Sequence, residues 1–209
     1  MNARFRQVGV FAVAGLSCLL VLTGCVSQAQ AQPTGTTPRE TVLAAANAAK
    51  EAGANVQYDA LKDGTVTFSE YDAAYRNLSH CYQAGGLGIT SPVVSPVDGF
   101  SYVFELVPNG LEASEIQKIQ TTCLNKYWMF VSAAYNTVTP PKMDDSLRVA
   151  VIACLKSKGY KTSGDEQTAR QFARVGNGGT TERRNATETC VSDEAFRLYP
   201  NLSTVNIAF

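Results

Sequence analysis

The sequence predicts an α+β fold that is mainly helical, with two disulfide-closed helical units in tandem and a small β-hairpin in the first. The main observation is an internal repeat. An apolar, helix-like phrase around Cys81 reappears around Cys154, and a glycine follows each cysteine five residues later. The second observation is a strand-like alternation of aromatic residues after Asp98-Gly99, a dipeptide typical of hairpin turns. Helical periodicity over most of the other stretches indicates that helices dominate.

The cysteines indicate how the two units are closed. Cys18 lies in the leader described below and Cys25 directly follows it, and the other four are Cys81, Cys123, Cys154 and Cys190. An even number in an exported chain predicts two disulfides, and four cysteines allow three pairings. Since similar Ser/Thr-Glu phrases precede Cys123 and Cys190, the repeat favours Cys81 with Cys123 and Cys154 with Cys190. A zinc site is the alternative, but no two of the four have the two-to-four-residue spacing of zinc ribbons.

The first 24 residues predict a lipoprotein signal peptide. A basic start precedes the uncharged apolar run Val8–Leu22, which is shorter than the roughly 20 residues that span a bilayer. The run ends in Leu22-Thr23-Gly24-Cys25, which matches the bacterial lipobox, so we expect diacylglycerol on Cys25 and cleavage before it. Residues 25–36 are small and uncharged, which predicts a flexible tether. An ordinary secretory peptide that happens to contain a cysteine is the alternative.

The body of the chain divides at Thr139-Pro140-Pro141 into a first unit, 37–138, and a second, 142–209. In the first, a Thr37 N-cap with Pro38 and Glu40 predicts a helix to Glu51. A second helix begins at Phe68, and its apolar face is formed by Phe68, Tyr71, Tyr75, Leu78, Cys81 and Tyr82. Phe100–Leu106 alternates as the second strand of a hairpin, and the prolines before it predict a short first strand. A long helix over 112–135 follows.

The second unit is shorter than the first. Asp144 or Asp145 caps a helix that carries Cys154, residues 165–173 predict a brief helix, and residues 181–198 predict the last one. The tail from Leu202 alternates and predicts an edge strand. Because the first unit also has the hairpin and a richer apolar helix, we expect it to tolerate loss of its disulfide better than the second.

One stretch resembles a calcium-binding EF-hand loop. With Asp59 at position 1, Asp63 falls at position 5 and Glu70 at the bidentate position 12. Position 3 is Leu61, however, which has no oxygen ligand, and the preceding helix is missing or broken. A turn at Asp63 followed by a capping box that ends in Glu70 explains the same residues. We therefore expect calcium to bind weakly or not at all.

The phrase Asp63-Gly64-Thr65-Val66-Thr67-Phe68-Ser69-Glu70-Tyr71, leading into a helix with a cysteine and a glycine behind a lipobox, resembles a group of uncharacterised actinobacterial lipoproteins. The resemblance covers the leader and residues 59–86. It implies a location, the extracytoplasmic face of the cell membrane, and it implies no particular reaction.

Composition and motifs restrict the function. The chain carries 18 basic and 18 acidic residues, and this balance offers no electrostatic footprint for nucleic acid. His80 is the only histidine, so we expect a surface residue rather than a metal ligand. The sequence contains no Gly-x-Ser-x-Gly, no Ser-x-x-Lys and no phosphate-cradling glycine loop. We therefore predict no catalytic residues, no metal and no cofactor.

Two functional classes remain open from the sequence. The first is a lipid-anchored envelope protein that binds a ligand or a protein partner, or has a structural role, without catalysis. The second is a cell-wall-directed hydrolase with two catalytic carboxylates. A groove without paired carboxylates favours the first class, and a carboxylate pair in a cleft favours the second. Tyr127 and Trp128 cannot both face the core, so we expect one of them at a surface groove.

Overall fold

The computed structural model describes residues 36–174 and 179–209, and Thr36–Phe209 forms one compact unit. The predicted signal peptide at 1–24, Cys25 and the tether up to residue 35 lie outside the described residues. Within the described ranges, no helix has both the length and the apolar character needed to cross a membrane.

The described ranges contain eight helices and four two-residue strands, so the predicted fold class, α+β and mainly helical with a small hairpin, is confirmed. In chain order the elements are α1 (Pro38–Glu51), α2 (Asn55–Leu61), α3 (Phe68–Ala84), β1 (Gly88–Ile89), β2 (Val93–Val94), β3 (Tyr102–Val103), β4 (Leu106–Val107), α4 (Ala113–Tyr127), α5 (Met129–Val138), α6 (Asp145–Ser157), α7 (Ala169–Ala173) and α8 (Thr181–Leu198).

Local sequence explains where several helices begin. Thr37 and Thr67 each accept a hydrogen bond from the backbone N–H three residues later, and Glu40 and Glu70 bind back to the N–H of the threonine. These are the reciprocal bonds of a capping box. Asp144, rather than Asp145, caps α6. Side chains next to these helices in sequence therefore accept hydrogen bonds from N–H groups of the first turns, without tertiary contacts.

The glycines of the internal repeat end α3 and α6 in the same way. Gly86 has φ 82° and Gly159 has φ 83°, in the left-handed region that favours glycine. After each glycine, the N–H of Leu87 donates to the carbonyl of Tyr82, and the N–H of Tyr160 donates to the carbonyl of Leu155. Both bonds measure 2.9 Å. This is the Schellman pattern of C-terminal capping, so the repeat seen in sequence is also a repeat of backbone structure.

Both disulfides join the cysteines that the repeat favours. Cys81 is bonded to Cys123, with Cα atoms 5.7 Å apart, and links α3 to α4. Cys154 is bonded to Cys190, with Cα atoms 5.8 Å apart, and links α6 to α8. Each bond therefore joins two helices whose apolar faces already meet.

The four strands form two antiparallel pairs of the same ribbon. Val93 lies opposite Val103 and Gly88 lies opposite Val107. Asp98-Gly99 lies in the connection of this hairpin, as the sequence indicates, and the connection is wide, because Ser95 N–H donates to the Ser101 carbonyl at 2.8 Å and the residues between them form the loop. Backbone bonds from Lys142 to Asp98 and from Asp144 to Pro96, each 2.8 Å, hold this wide loop against the start of α6.

Three clusters of buried side chains form the core of the described residues. The largest surrounds Cys190 and gathers side chains of α6, α7 and α8, together with Val97 and Val103 from the ribbon. The second joins α1, α2, α3 and α5, and the third surrounds Cys123. The units predicted at 37–138 and 142–209 thus share a core where the ribbon meets α6. The cluster around Cys190 has more buried members than the cluster around Cys123, so the second disulfide does not lie in the thinner surroundings.

Three further predictions from the sequence differ from the structure. A helix, α2, does precede the EF-hand-like loop and contains both Asp59 and Leu61. The predicted brief helix at 165–173 begins only at Ala169, because Thr168 and Gln171 form its capping box. The tail after Leu198 contains no strand in the described ranges. Instead, Leu202 is buried and three later apolar residues lie against the largest cluster.

Residues 112–135 do not form one helix, because the helix breaks at Trp128 between α4 and α5. The side chain of Gln57, only 1% exposed, lies at this break. Its Nε2 donates to the carbonyl of Asn125 at 2.7 Å, and its Oε1 accepts from the N–H groups of Phe130 at 2.7 Å and Val131 at 3.2 Å. One amide thus provides hydrogen-bond partners for backbone groups at the end of α4 and at the beginning of α5, where helical bonds are missing.

Candidate functional site

An open groove of 1110 Å³ lies in the surface of the described unit. Its lining comes from the segment 97–104, from α5 and the residues after it up to Pro141, from residues 168–170 at the start of α7, and from the tail at 206–208. Tyr71 of α3 and Trp128 complete the lining. We call this feature the groove. It is larger than most pockets for small ligands, which measure about 300–1,000 Å³.

Aromatic side chains form one wall of the groove. The lining rings are Tyr71, Phe100, Tyr102, Phe104 and Trp128. They are packed on one another and on further rings behind them, with Tyr71 and Trp128 centroids 4.8 Å apart and Tyr71 and Tyr102 centroids 5.1 Å apart. Tyr71 is buried, whereas the other four are partly exposed. The wall therefore consists of rings that are packed on one another and partly exposed to solvent.

Three tyrosine hydroxyls attach the ribbon to α3 behind this wall. Tyr71 Oη accepts from the N–H of Tyr102 at 2.9 Å, and Tyr75 Oη donates to the carbonyl of Thr90 at 2.7 Å. Tyr102 Oη donates to Asp72 at 2.8 Å. Burial raises the pKa of Tyr71 to about 12, and burial together with the Asp72 hydrogen bond raises the pKa of Tyr102 to about 12. The hydroxyls stay protonated near neutral pH, and the wall keeps its geometry there.

Trp128 is in the groove because the helix breaks there. It touches two of the three core clusters, and its ring meets Phe104 edge-on at a centroid distance of 6.2 Å. The sequence predicted that either Tyr127 or Trp128 would reach a groove, and Trp128 is the one in the groove lining. The Gln57 amide binds the backbone groups on both sides of this break.

The polar part of the lining comes mainly from α5. Ser132 and Asn136 are four residues apart and so are neighbours on one side of this helix, and Thr137 also belongs to the lining. The hydroxyl of Thr137 donates to the Ala133 carbonyl at 2.7 Å and keeps lone pairs for another donor. Asn136 is exposed and offers both a donor and an acceptor.

Among the described residues, two charged side chains line the groove, and each forms hydrogen bonds within the protein. Asp98 Oδ1 accepts from the N–H groups of Phe100 at 3.0 Å and Ser101 at 2.9 Å, and Oδ2 accepts from the Ser101 hydroxyl. Arg170 donates to the carbonyl of Phe209 at 2.8 Å, which helps to hold the tail along the groove. The described lining thus carries one charged side chain of each sign.

The calcium candidates are not assembled into a site. Asp59 forms an ion pair with Lys62 at 2.7 Å, Asp63 accepts from the N–H and hydroxyl of Thr65, and Glu70 completes the α3 capping box. The Thr65 hydrogen bonds lower the pKa of Asp63. Across the described ranges, no group of three or more His, Cys, Asp or Glu side chains could hold a metal ion.

The other predicted residues have separate positions. His80 is exposed on α3, away from the residues that line the groove. Of the four disulfide cysteines, Cys123 and Cys190 are buried, and their partners Cys81 and Cys154 are partly buried beside them. Cys25, the predicted lipidation site, lies outside the described residues, so lipidation stays a prediction.

Sequence reasoning missed most of the groove. Aromatic alternation after Asp98 indicated a packed face, and adjacent Tyr127 and Trp128 indicated a surface ring. No pattern indicated that residues 168–170 and 206–208 lie beside that face, because these contacts are set by the packing of α7 and the tail. Comparison with protein-family models, with curated proteins and with solved structures finds no match to this chain.

Proposed function

We propose that this protein is a membrane-anchored lipoprotein on the extracytoplasmic face of the cell envelope, and that it binds a ligand in the groove without catalysing a reaction. The lipobox at Cys25 and the two disulfides support the location, because structural disulfides persist in oxidising compartments. The aromatic wall of the groove carries the binding role. Concave sites with aromatic linings and a few polar groups are typical of ligand binding.

The hydrolase alternative is less well supported. Glycosidases use two carboxyl groups placed about 5–10 Å apart across the scissile bond. Among the described residues that line the groove, Asp98 is the carboxylate, and both its oxygens accept hydrogen bonds from its own loop. Freeing Asp98 for proton transfer would unfasten that loop, so we favour binding.

The location is tested with Cys25→Ala in the native host. We expect metabolically supplied fatty acid to label the wild-type protein and not the variant, and the variant to leave the membrane fraction. Cys18→Ala is the matched control and should be labelled normally. Full membrane retention of an unlabelled Cys25→Ala protein would contradict the anchoring role.

The binding role is tested by blocking the groove. Asn136→Arg places a long charged side chain at the exposed polar edge, and Asn47→Arg does the same on α1, outside the groove lining. Soluble material released from envelopes is titrated against each full-length protein, and the fluorescence of Trp128, the only tryptophan in the chain, is followed. We expect a saturable change with wild type and Asn47→Arg that Asn136→Arg abolishes. Equal responses in all three proteins would contradict binding in the groove.

A further inference from the structure

We propose that the ligand of the groove is a neutral oligosaccharide of β-linked hexopyranoses, stacked on the aromatic wall and hydrogen-bonded by α5. This inference rests on the binding role proposed above and names the chemical class of the ligand. Three properties of the lining lead to it: partly exposed aromatic rings, hydroxyl and amide groups beside them, and only one charged side chain of each sign.

The aromatic wall fits the apolar face of a sugar. A pyranose with equatorial substituents presents a flat face of C–H groups, and C–H hydrogens are attracted to the electron-rich face of an aromatic ring. Phe100 and Tyr102 are held in place by edge-on contacts, Phe100 on Tyr135 at 5.9 Å and Tyr102 on Tyr75 at 5.2 Å. Because these rings lose little freedom on binding, stacking on them carries a small entropic cost.

The polar side of the groove fits sugar hydroxyls. Ser132, Asn136 and Thr137 of α5 bring two hydroxyls and one amide to the groove lining. A sugar has donors and acceptors around its rim, so it can pair with all three. An acyl chain has none and would leave the Asn136 amide without water or a partner, which costs free energy.

The charges of the groove favour a neutral ligand. Asp98 is bound to its own loop and Arg170 to the carbonyl of Phe209. Among the described lining residues an anionic polymer would meet one cation, Arg170, and a basic peptide one carboxylate, Asp98, so neither kind of polyion finds a run of opposite charges. The volume of 1110 Å³ exceeds the usual range for one small ligand, which favours a short chain of rings over one monosaccharide.

The occupant that competes most closely is a proline-rich peptide, since polyproline helices also bind aromatic-lined grooves. Peptides of this kind use aromatic ridges and need few hydrogen bonds from side chains. The hydroxyl and amide set on α5 therefore favours the sugar, and the experiment below includes the peptide as a separate outcome.

The test uses the full-length protein in lipid nanodiscs and the fluorescence of Trp128. The probes are chitotetraose and cellotetraose, which are β-linked, maltotetraose, which is α-linked, and decaproline. We expect saturable changes with the β-linked probes and weaker binding of maltotetraose. Asn136→Ala should raise the dissociation constant two- to tenfold, the effect of one lost hydrogen bond. Asn47→Ala, an equivalent change on an exposed part of α1, should leave it unchanged.

The alternative results separate this inference from the binding role. A response to decaproline and to no sugar would overturn the glycan proposal and leave ligand binding in place. Equal affinity for maltotetraose and cellotetraose, or no effect of Asn136→Ala, would overturn the stacked geometry. No response to any of the four probes would overturn the glycan proposal. The Asn136→Arg experiment with envelope material would then decide the binding role by itself.

Discussion

Gln57 Oε1 accepts a hydrogen bond from the backbone N–H of Phe130 at 2.7 Å, across 73 residues of sequence. The same side chain donates to the carbonyl of Asn125. A residue of the short helix α2 thus holds the break between α4 and α5, and with it the position of Trp128 in the groove wall. The most informative substitution outside the groove is at this residue.

Gln57→Met keeps a side chain of similar length but removes both hydrogen-bonding groups. We expect the free energy of unfolding to fall by roughly 2–4 kcal/mol, because buried backbone groups at the break lose their partner. The emission of Trp128 should also shift. Gln83→Met on the exposed side of α3 is the control, and we expect it to change neither quantity by much. A Gln57→Met protein as stable as wild type would mean that water replaces the amide.

Gly99 is a second position where the ribbon and the start of α6 depend on each other. Its φ is +77°, and a Cβ atom would lie 2.5 Å from the carbonyl oxygen of Lys142. Gly110→Ala is the matched control, since Gly110 has φ +82° and nothing within 4 Å of a Cβ position. We expect Gly110→Ala to cost about 1–2 kcal/mol and Gly99→Ala about 2–4 kcal/mol in chemical unfolding. Equal losses would show that the Lys142 contact relaxes freely.

Stability should depend on pH through Asp144 and Tyr199. The hydrogen bond from the Tyr199 hydroxyl and the N–H groups of Leu147 and Ser146 hold the pKa of Asp144 below its ordinary value. The folded state therefore binds the Asp144 proton less readily than the unfolded state. The resulting stabilisation is present above the unfolded pKa of about 3.9 and is lost as the pH falls through the lowered folded pKa.

Tyr199→Phe tests this dependence, because it removes the hydroxyl and leaves the ring. We expect it to lower the melting temperature slightly at pH 7 and to reduce the loss of stability between pH 5 and pH 2. Since Asp144 is exposed, the difference should stay below about 1 kcal/mol. Tyr160→Phe offers a comparison in the same half of the chain. Parallel acid melting curves for wild type and Tyr199→Phe would rule out a role for this pair.

The two disulfides should contribute nearly the same amount to the free energy of unfolding. Their sequence separations of 42 and 36 residues correspond to about 4 kcal/mol each by chain entropy, with a difference of only ~0.1 kcal/mol. The aromatic ribbon favoured a more tolerant first unit, but the largest core cluster surrounds Cys190. We therefore expect Cys81→Ala/Cys123→Ala and Cys154→Ala/Cys190→Ala to lower stability equally within about 1 kcal/mol. Chemical unfolding of both double variants measures this, and a larger gap would contradict it.

Calcium should bind weakly or not at all between Asp59 and Glu70. Leu61 occupies a position that needs an oxygen ligand, and Asp59 lies within α2 and is paired with Lys62. Calorimetric titration should give no saturable heat at micromolar calcium. Saturable binding that Glu70→Gln removes and Glu51→Gln leaves intact would overturn this prediction.

Several features followed from the sequence because their causes are local. The α1 and α3 capping boxes need residues only three positions apart, and the ends of α3 and α6 need a glycine at one position. Repeated phrases then paired Cys81 with Cys123 and Cys154 with Cys190, since corresponding cysteines on corresponding helices meet in the same way. The mainly helical class followed from the same periodicities.

The groove was decided by tertiary structure. The helix breaks at Trp128 although the apolar periodicity continues from Ile116 to Ala134, and the backbone groups at the break are bound by Gln57, which lies far away in sequence. The width of the loop around Asp98 was not predicted, because its backbone binds residues 142–144, far along the chain. The tail at 206–208 lies along the groove because Arg170 binds the carbonyl of Phe209 and apolar side chains of the tail pack on the large core. Each of these contacts joins residues that are distant in sequence, so their energies act only after the helices have packed.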